Sequence, residues 1–408
     1  LIEVQMIPVV SLARRIGNHV IAAARTGLRP VLWGGAALAL AACEPVSMPG
    51  RGGVRVDPSR PVTVALLVPG GSADQGRNVL AASLEAAARM AVADLSGVQI
   101  DLRVYSTAGN PAQAAQLAMQ AVNDGARIIL GPVFADEANA VGSAVAARDI
   151  NVLAFSNNAD IAGGNVFILG PTFQNTAQRL MNFAAAQGRG QIMIVGENTA
   201  EGQVAAAAIQ AAAARSQARV VATETYDFSQ QGVVDALPRI SQSARSSGAQ
   251  TLFFTANTAG ALPILAQLLP DNRVGPPTFQ FMGLTRWDIP AATLQLRGLQ
   301  EGWFALPDPT MAARFEARYT ATNGQAPHPI AGLAYDGIAA IGALLASGQA
   351  EALTQASLTQ AQGFAGVTGI FRLRADGTNE RGLAVATIRN NAVVVLDAAP
   401  RAFGGAGL

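Results

Sequence analysis

Ser156, Asn157 and Asn158, then Asn198, Asn257 and the pair Thr285-Arg286, each stand just beyond a short run rich in β-branched, aliphatic and aromatic residues. Gly71-Ser72 follows Val62–Val68 in the same way, and Phe134 follows Ile128–Leu130. Small hydroxyl and amide groups donate and accept hydrogen bonds, but do not cleave covalent bonds without an activating partner. The guanidinium of Arg286 could meet a ligand carboxylate as a bidentate pair, or form an ion pair on the surface. The set suits a neutral or anionic polar ligand that is held and not transformed. The same residue types also favour turns, so a purely structural role is open for each.

Bond-breaking chemistry is hard to assemble from the rest of the chain. All 28 basic residues are arginine. Without lysine there is no Schiff-base amine, no phosphate-loop lysine and no Ser-x-x-Lys acyl transferase. The histidines are His19 and His328, the latter between Pro327 and Pro329, where it suits a helix start. One histidine and the single cysteine, Cys43, make neither a zinc cluster nor an internal disulfide. Paired carboxylates remain as a catalytic route, and no spacing recommends a pair. No catalytic residue, metal or cofactor is expected.

Half of the 408 residues are hydrophobic and 13% are charged. Residues 1–42 hold four arginines (Arg14, Arg15, Arg25, Arg29) and one acid (Glu3), which leaves 24 arginines against 26 acids, a net charge of −2. No basic surplus exists for a nucleic-acid backbone. More than 360 residues remain beyond position 42, enough for two core-bearing lobes.

The elements that would position the polar loops alternate regularly. Strands are predicted at 62–68, 100–105, 128–130 and 152–155, with helices at 78–95, 112–123 and 137–148 between them. Runs apolar on both faces, separated by helices, indicate a parallel sheet wrapped by helices. The pattern restarts with strands at 192–195, 220–226, 251–255 and 278–282 and helices at 203–214, 233–247 and 261–268. A strand at 302–306 and helices at 311–323 and 330–347 follow. The end changes character: 370–373, 383–389 and 393–397, joined by Asp376-Gly377 and Asn390-Asn391, read as a small antiparallel segment. In open parallel sheets ligands bind beyond the carboxyl ends of the strands, which is where the polar loops stand.

The N-terminus carries an address. Arg25 and Arg29 precede an apolar run, Val31 to Ala42, too short to span a bilayer. Its ending, Leu40-Ala41-Ala42-Cys43, resembles the lipobox of bacterial lipoproteins, which implies a signal peptide at 1–42 and lipidation of Cys43. Residues 43–60, rich in proline, glycine and arginine, then read as a tether reaching at most about 60 Å, with order beginning at Pro61. Glu44 stands where aspartate would signal inner-membrane retention, so the expectation is the periplasmic side of the envelope, anchored in the outer membrane.

Val64-Ala65-Leu66-Leu67-Val68-Pro69-Gly70, Ile129-Leu130-Gly131-Pro132, Gln280-Phe281-Met282-Gly283 and Glu301-Gly302-Trp303-Phe304 occur in that order over 61–397. With Ala334-Tyr335-Asp336-Gly337-Ile338 and the Gly369…Asp376-Gly377 tail, they resemble type I periplasmic binding proteins of the leucine/isoleucine/valine-binding class. The resemblance implies two Rossmann-like α/β lobes joined by three crossings, with a ligand cleft between them and no catalysis. It places 61–178 plus 308–368 in the first lobe, 179–307 plus 369–397 in the second, and 398–408 in a flexible tail. Amino-acid receptors of the class set hydroxyls on the ligand carboxylate and an acid on its ammonium. Here Gly131 to Asp136 lacks the hydroxyls, Ala159 replaces a threonine-type residue, and Leu284-Thr285-Arg286 stands where the acid belongs. A free zwitterionic amino acid is therefore a poor ligand, because burying an unpaired ammonium costs several kcal/mol.

Two functions follow from the resemblance. Penicillin-binding protein activators are outer-membrane lipoproteins that use this fold to contact a peptidoglycan synthase, and the lipobox, Glu44 and the departures in the loops put that reading first. The alternative is a solute receptor, for an amino-acid-like ligand, that serves an ABC permease.

Overall fold

A computed structural model describes residues 53–403 of the chain. Cys43 and the signal segment lie outside the described residues. The first lobe begins with β1 (Val62–Val68), α1 (Gln75–Asp94), β2 (Ile100–Ser106), α2 (Pro111–Asn123), β3 (Ile128–Leu130), α3 (Ala135–Val145), β4 (Val152–Ala154) and β5 (Val166–Ile168). Their sheet is wholly parallel, in the order β2-β1-β3-β4-β5. Successive residues of β1 explain its continuous hydrophobicity. Val64 and Leu66 enter a core with Leu84 and Ile341, while Ala65 and Leu67 face Ala118 and Val141 on the other side. Helix starts are fixed locally: Asp74 accepts from the Gly76 N–H at 2.8 Å, and Asn110 from the Gln113 N–H at 3.0 Å.

The chain leaves this lobe after Leu169 and enters α4 (Phe173–Ala186), β6 (Gln191–Glu197), α5 (Ala200–Ala213), β7 (Arg219–Tyr226), α6 (Gln230–Ser246), β8 (Thr251–Phe254), α7 (Leu262–Asp271), β9 (Gln280–Gly283) and β10 (Trp303–Leu306). Burial alternates again, Met193 and Val195 on one side of the sheet, Ile192 and Ile194 on the other. After Pro307 the chain returns as α8 (Pro309–Asn323), α9 (Gly332–Leu345), α10 (Gln355–Leu358) and a three-stranded antiparallel sheet of β11 (Phe364–Gly366), β12 (Gly369–Leu373) and β13 (Asn379–Arg381). A third crossing at Gly382 leads to β14 (Ala384–Arg389) and β15 (Ala392–Asp397), which extend the second sheet to the order β15-β14-β10-β9-β8-β6-β7. β14 runs antiparallel to β10. The architecture is thus two α/β lobes, the first with a parallel sheet and the second with a parallel sheet extended by two antiparallel strands, and a small antiparallel sheet.

Five sequence expectations change. β5 and α4 were not foreseen: β5 has three residues, and α4 is announced only by an unusual capping box in which Thr172 and Asn175 bond reciprocally. The lobe boundary expected at 178 falls inside α4, whose Ala177 and Leu180 already belong to the second core. The antiparallel tail is two structures: Phe371 and Leu373 pack in the first lobe's core, so 369–381 goes with that lobe, and β14 and β15 with the other. The described part of the expected 43–60 tether is docked, since Val56 is buried, its N–H bonds to Ala350 O at 2.8 Å, and Arg55 pairs with Glu351. Of the expected 398–408 tail, Phe403 lies under the Arg372 guanidinium, 4.7 Å from its carbon, while residues 404–408 lie outside the described range.

Candidate functional site

A cavity of about 270 Å³ lies where the crossings meet. Its walls come from the loop after β4 (Asn157), the first crossing and the start of α4 (Pro171, Thr172, Phe173, Thr176), the loop after β9 (Leu284, Thr285, Arg286, Ile289) and the end of β10 (Ala305, Leu306, Pro307). Pro329, Ile330 and Leu333 at the head of α9 and Thr368, Arg381 and Leu383 around the third crossing complete it. A second hollow of about 350 Å³ is walled by Phe134, Phe155, Ser156, Asn157, Asn158 and neighbours, and shares Asn157, Pro171, Ile330 and Leu333 with the first.

The structure therefore brings six of the sequence-predicted residues to one place: Phe134, Ser156, Asn157, Asn158, Thr285 and Arg286. Gly71, Ser72, Asn198 and Asn257 line neither hollow. Ser72 closes the turn into α1, its N–H donating to Asn78 Oδ1 at 3.1 Å and its carbonyl accepting from Asn78 Nδ2 at 2.8 Å. Asn198 Nδ2 donates to Asp227 Oδ1 at 3.1 Å, and Asn257 Oδ1 accepts from the Ala259 N–H at 3.0 Å. The Ser72 and Asn257 bonds are the turn roles that such residues favour, while Asn198 ties two loops together.

The loop after β9 is held from below by Trp287, which is fully buried and stacks on Phe304 with ring centroids 6.2 Å apart. Only glycine fits beneath it, because a Cβ on Gly283 would lie 2.0 Å from Trp287 Nε1. Thr258 Oγ1 donates to Ile289 O at 2.8 Å and ties the loop to its neighbour. Arg286 Nε donates to Asp288 Oδ1 at 2.9 Å, and a second short contact joins Arg286 Nη2 to Asp288 Oδ2. The guanidinium is thus paired within the chain while its side chain, 36% exposed, still lines the cavity.

Sequence reading placed no site residue on the crossings. Arg381 is buried on the third crossing and bonds to the first, and reaches the second through Thr368: Nε donates to Leu169 O at 2.8 Å, Nη1 to Thr368 Oγ1 at 2.8 Å, and Thr368 O accepts from the Asp308 N–H at 3.3 Å. Its counter-charge is Asp336, fully buried on α9 and 3.6 Å from Nη1. Asp336 accepts from the Val367 N–H at 2.6 Å and from the Thr368 hydroxyl. Burial pushes the Asp336 carboxyl up and the Arg381 guanidinium down, each opposed by the partner's charge. The signal for this site was the position of Arg381, next to Gly382 and just after the Asp376-Gly377 turn.

No aspartate or glutamate is among the residues lining the cavity. Glu137, three residues beyond Phe134, is fully buried, and desolvation raises its pKa. Glu197 accepts from Tyr226 Oη at 3.2 Å, and burial raises it as well. His328 Nδ1 accepts from the Ile330 N–H at 3.4 Å, and burial lowers its pKa. Among the described residues no group of three or more His, Cys, Asp or Glu could hold a metal ion, and no helix is long and apolar enough to cross a membrane. The cavity can hold a small molecule through apolar walls, hydroxyls and the Arg286 guanidinium, and its lining includes no carboxylate to pair an ammonium.

A family model described as periplasmic binding protein matches residues 61–392. Comparison with curated proteins gives no match. Solved structures share the fold. A branched chain amino acid ABC transporter periplasmic ligand-binding protein from Burkholderia xenovorans LB400 aligns with TM-score 0.67 at 18% identity, over 83% of this chain and 96% of its own. The branched-chain amino acid transporter substrate binding protein LivJ from Streptococcus pneumoniae, in complex with isoleucine, aligns with TM-score 0.56 at 14% identity, over 84% and 100%. A solute binding protein of an ABC transporter from R. palustris, in complex with benzoate, aligns with TM-score 0.56 at 16% identity, over 86% and 99%.

Proposed function

The chain belongs to the periplasmic binding protein family, in its leucine/isoleucine/valine-binding class, and we propose that it is the solute receptor of an ABC importer. It holds a small solute of largely apolar body and no ammonium group, and catalyses nothing. One observation carries this reading: the interlobe cavity has apolar and hydroxyl walls and two arginines, with no carboxylate in its lining. A zwitterionic amino acid would bury its ammonium there unpaired, at a cost of several kcal/mol. The partner is an inner-membrane permease, and a lipid on Cys43 would keep the receptor beside it. The outer-membrane placement inferred from Glu44 goes with the cell-wall regulator. That reading has no support from the structural relatives above, which are ligand- or solute-binding proteins of transporters.

The test is thermal unfolding with added solutes. Leucine, isoleucine and valine are expected to leave the melting temperature unchanged. A true ligand at a hundred times its Kd adds about 2.7 kcal/mol, a shift of several degrees. A clear rise with any of the three amino acids would refute the ligand class. Co-purification from envelope extract with a peptidoglycan synthase and no permease subunit would refute the receptor.

A further inference from the structure

We propose that residues 399–403 act as a latch between the lobes, a fourth connection that holds by contact where the three crossings hold by covalent chain. The inference concerns the hinge and stands whether or not the cavity takes a solute. β15 ends at Asp397 on the edge of the second lobe's sheet, and the chain then returns to the first lobe. The start of the latch is fixed on the second lobe. Ala399 is buried in the same core as Phe304, Leu306 and Ile388. Arg179, on α4, donates from Nη2 to Asp397 Oδ2 at 2.8 Å and to Ala398 O at 3.3 Å. The far end is fixed on the first lobe. The Phe403 ring lies 4.7 Å from the guanidinium carbon of Arg372 on β12, and a Cβ on Gly363 would lie 2.9 Å from Phe403 Cε2. Between the two ends Pro400 rests against the third crossing, where a Cβ on Gly382 would lie 3.1 Å from Pro400 O.

The receiving group is held ready for a ring. Arg372 Nε and Nη2 donate to Glu380 Oε2 at 2.9 and 2.7 Å, and Nη1 donates to Ala361 O at 3.2 Å. Those bonds lie in the guanidinium plane, so the face is left to Phe403, and a cation over an aromatic ring is attracted to it. Domains hinge as rigid bodies about a few chain residues. The four peptide units from Ala399 to Phe403 reach at most about 14 Å, so a rotation that carries Arg372 farther than this from Ala399 must pull Phe403 from its seat. Phe403 is only half-buried and belongs to none of the hydrophobic cores, so it can let go without unfolding either lobe.

Dipolar distance measurement between two spin labels on the full chain tests this. The labels go on Gln116→Cys in α2 of the first lobe and Gln210→Cys in α5 of the second, both exposed, with Cys43→Ala so that no other thiol reacts. With the latch intact, one narrow distance is expected. Phe403→Ala is expected to add a second population shifted by several ångströms, and Arg372→Gln, which removes the other half of the contact, to do the same. Phe403→Tyr keeps the ring and is expected to keep the single distance. The urea midpoints of all three variants are expected to stay close to that of the parent chain. An unchanged single distance in both Phe403→Ala and Arg372→Gln overturns the latch. A parent chain that already shows several distances overturns it too, because the lobes would then be free with Phe403 in place. Loss of urea stability without a second distance also overturns it, since the segment would then be packing alone.

Discussion

Asp336→Ala is expected to lower the unfolding free energy by about 3–5 kcal/mol, the usual loss when one member of a buried ion pair is removed. The substitution leaves Arg381 as a buried charge without its counter-ion, and strips the Val367 N–H and Thr368 hydroxyl of their acceptor. These groups join the core of the first lobe to the crossings, so the damage falls on the hinge as well as on α9. Urea unfolding of wild type and variant measures it, and a difference under about 1 kcal/mol would show that the pair is dispensable. Arg381→Met/Asp336→Asn should cost less than the sum of the single changes, because neither charge is then stranded.

Trp287→Ala is the second large effect, at about 3–5 kcal/mol for a buried aromatic replaced by alanine. The cost extends to the site. Trp287 fills the space that Gly283 and Gly302 leave open, and a Cβ on Gly302 would lie 2.2 Å from its Cζ3. Without the indole, the loop that carries Thr285, Arg286 and Ile289 loses its floor. Denaturant unfolding should show the loss of stability, and titration with any cavity ligand should show weakened binding. A variant that unfolds with the wild type would mean the loop is held by its hydrogen bonds alone.

The two-lobed architecture was legible because strands buried on both faces carry their own signature. Val62–Val68 and Ile128–Leu130 were read to the residue, since every position in them but Thr63 faces one of two cores. β5 and α4 were illegible for the opposite reason. β5 is three residues long, and α4 mixes Gln174, Asn175, Gln178 and Asn182 with its buried face. The site was half legible. Ser156 to Asn158 and Thr285-Arg286 follow strands directly, where the open-sheet rule looks for ligands. Thr172, Thr368 and Arg381 sit on the crossings, which join only when segments some 200 residues apart in the chain meet, as Arg381 and Leu169 do. The resemblance supplied the number of crossings but not which side chains they bring together.

The most direct test of the account is to fill the cavity and ask whether binding goes with it. Ile330 is half-buried at the margin of the first lobe's core and lines both hollows, so the added bulk of Ile330→Trp should occupy ligand space. Melting temperatures of wild type and Ile330→Trp would be compared across a panel of non-zwitterionic solutes. The account predicts that a solute raising the wild-type melting temperature leaves the variant unmoved, with both proteins folded in its absence. Equal stabilisation of the two would place the ligand elsewhere and contradict the assignment of the interlobe cavity.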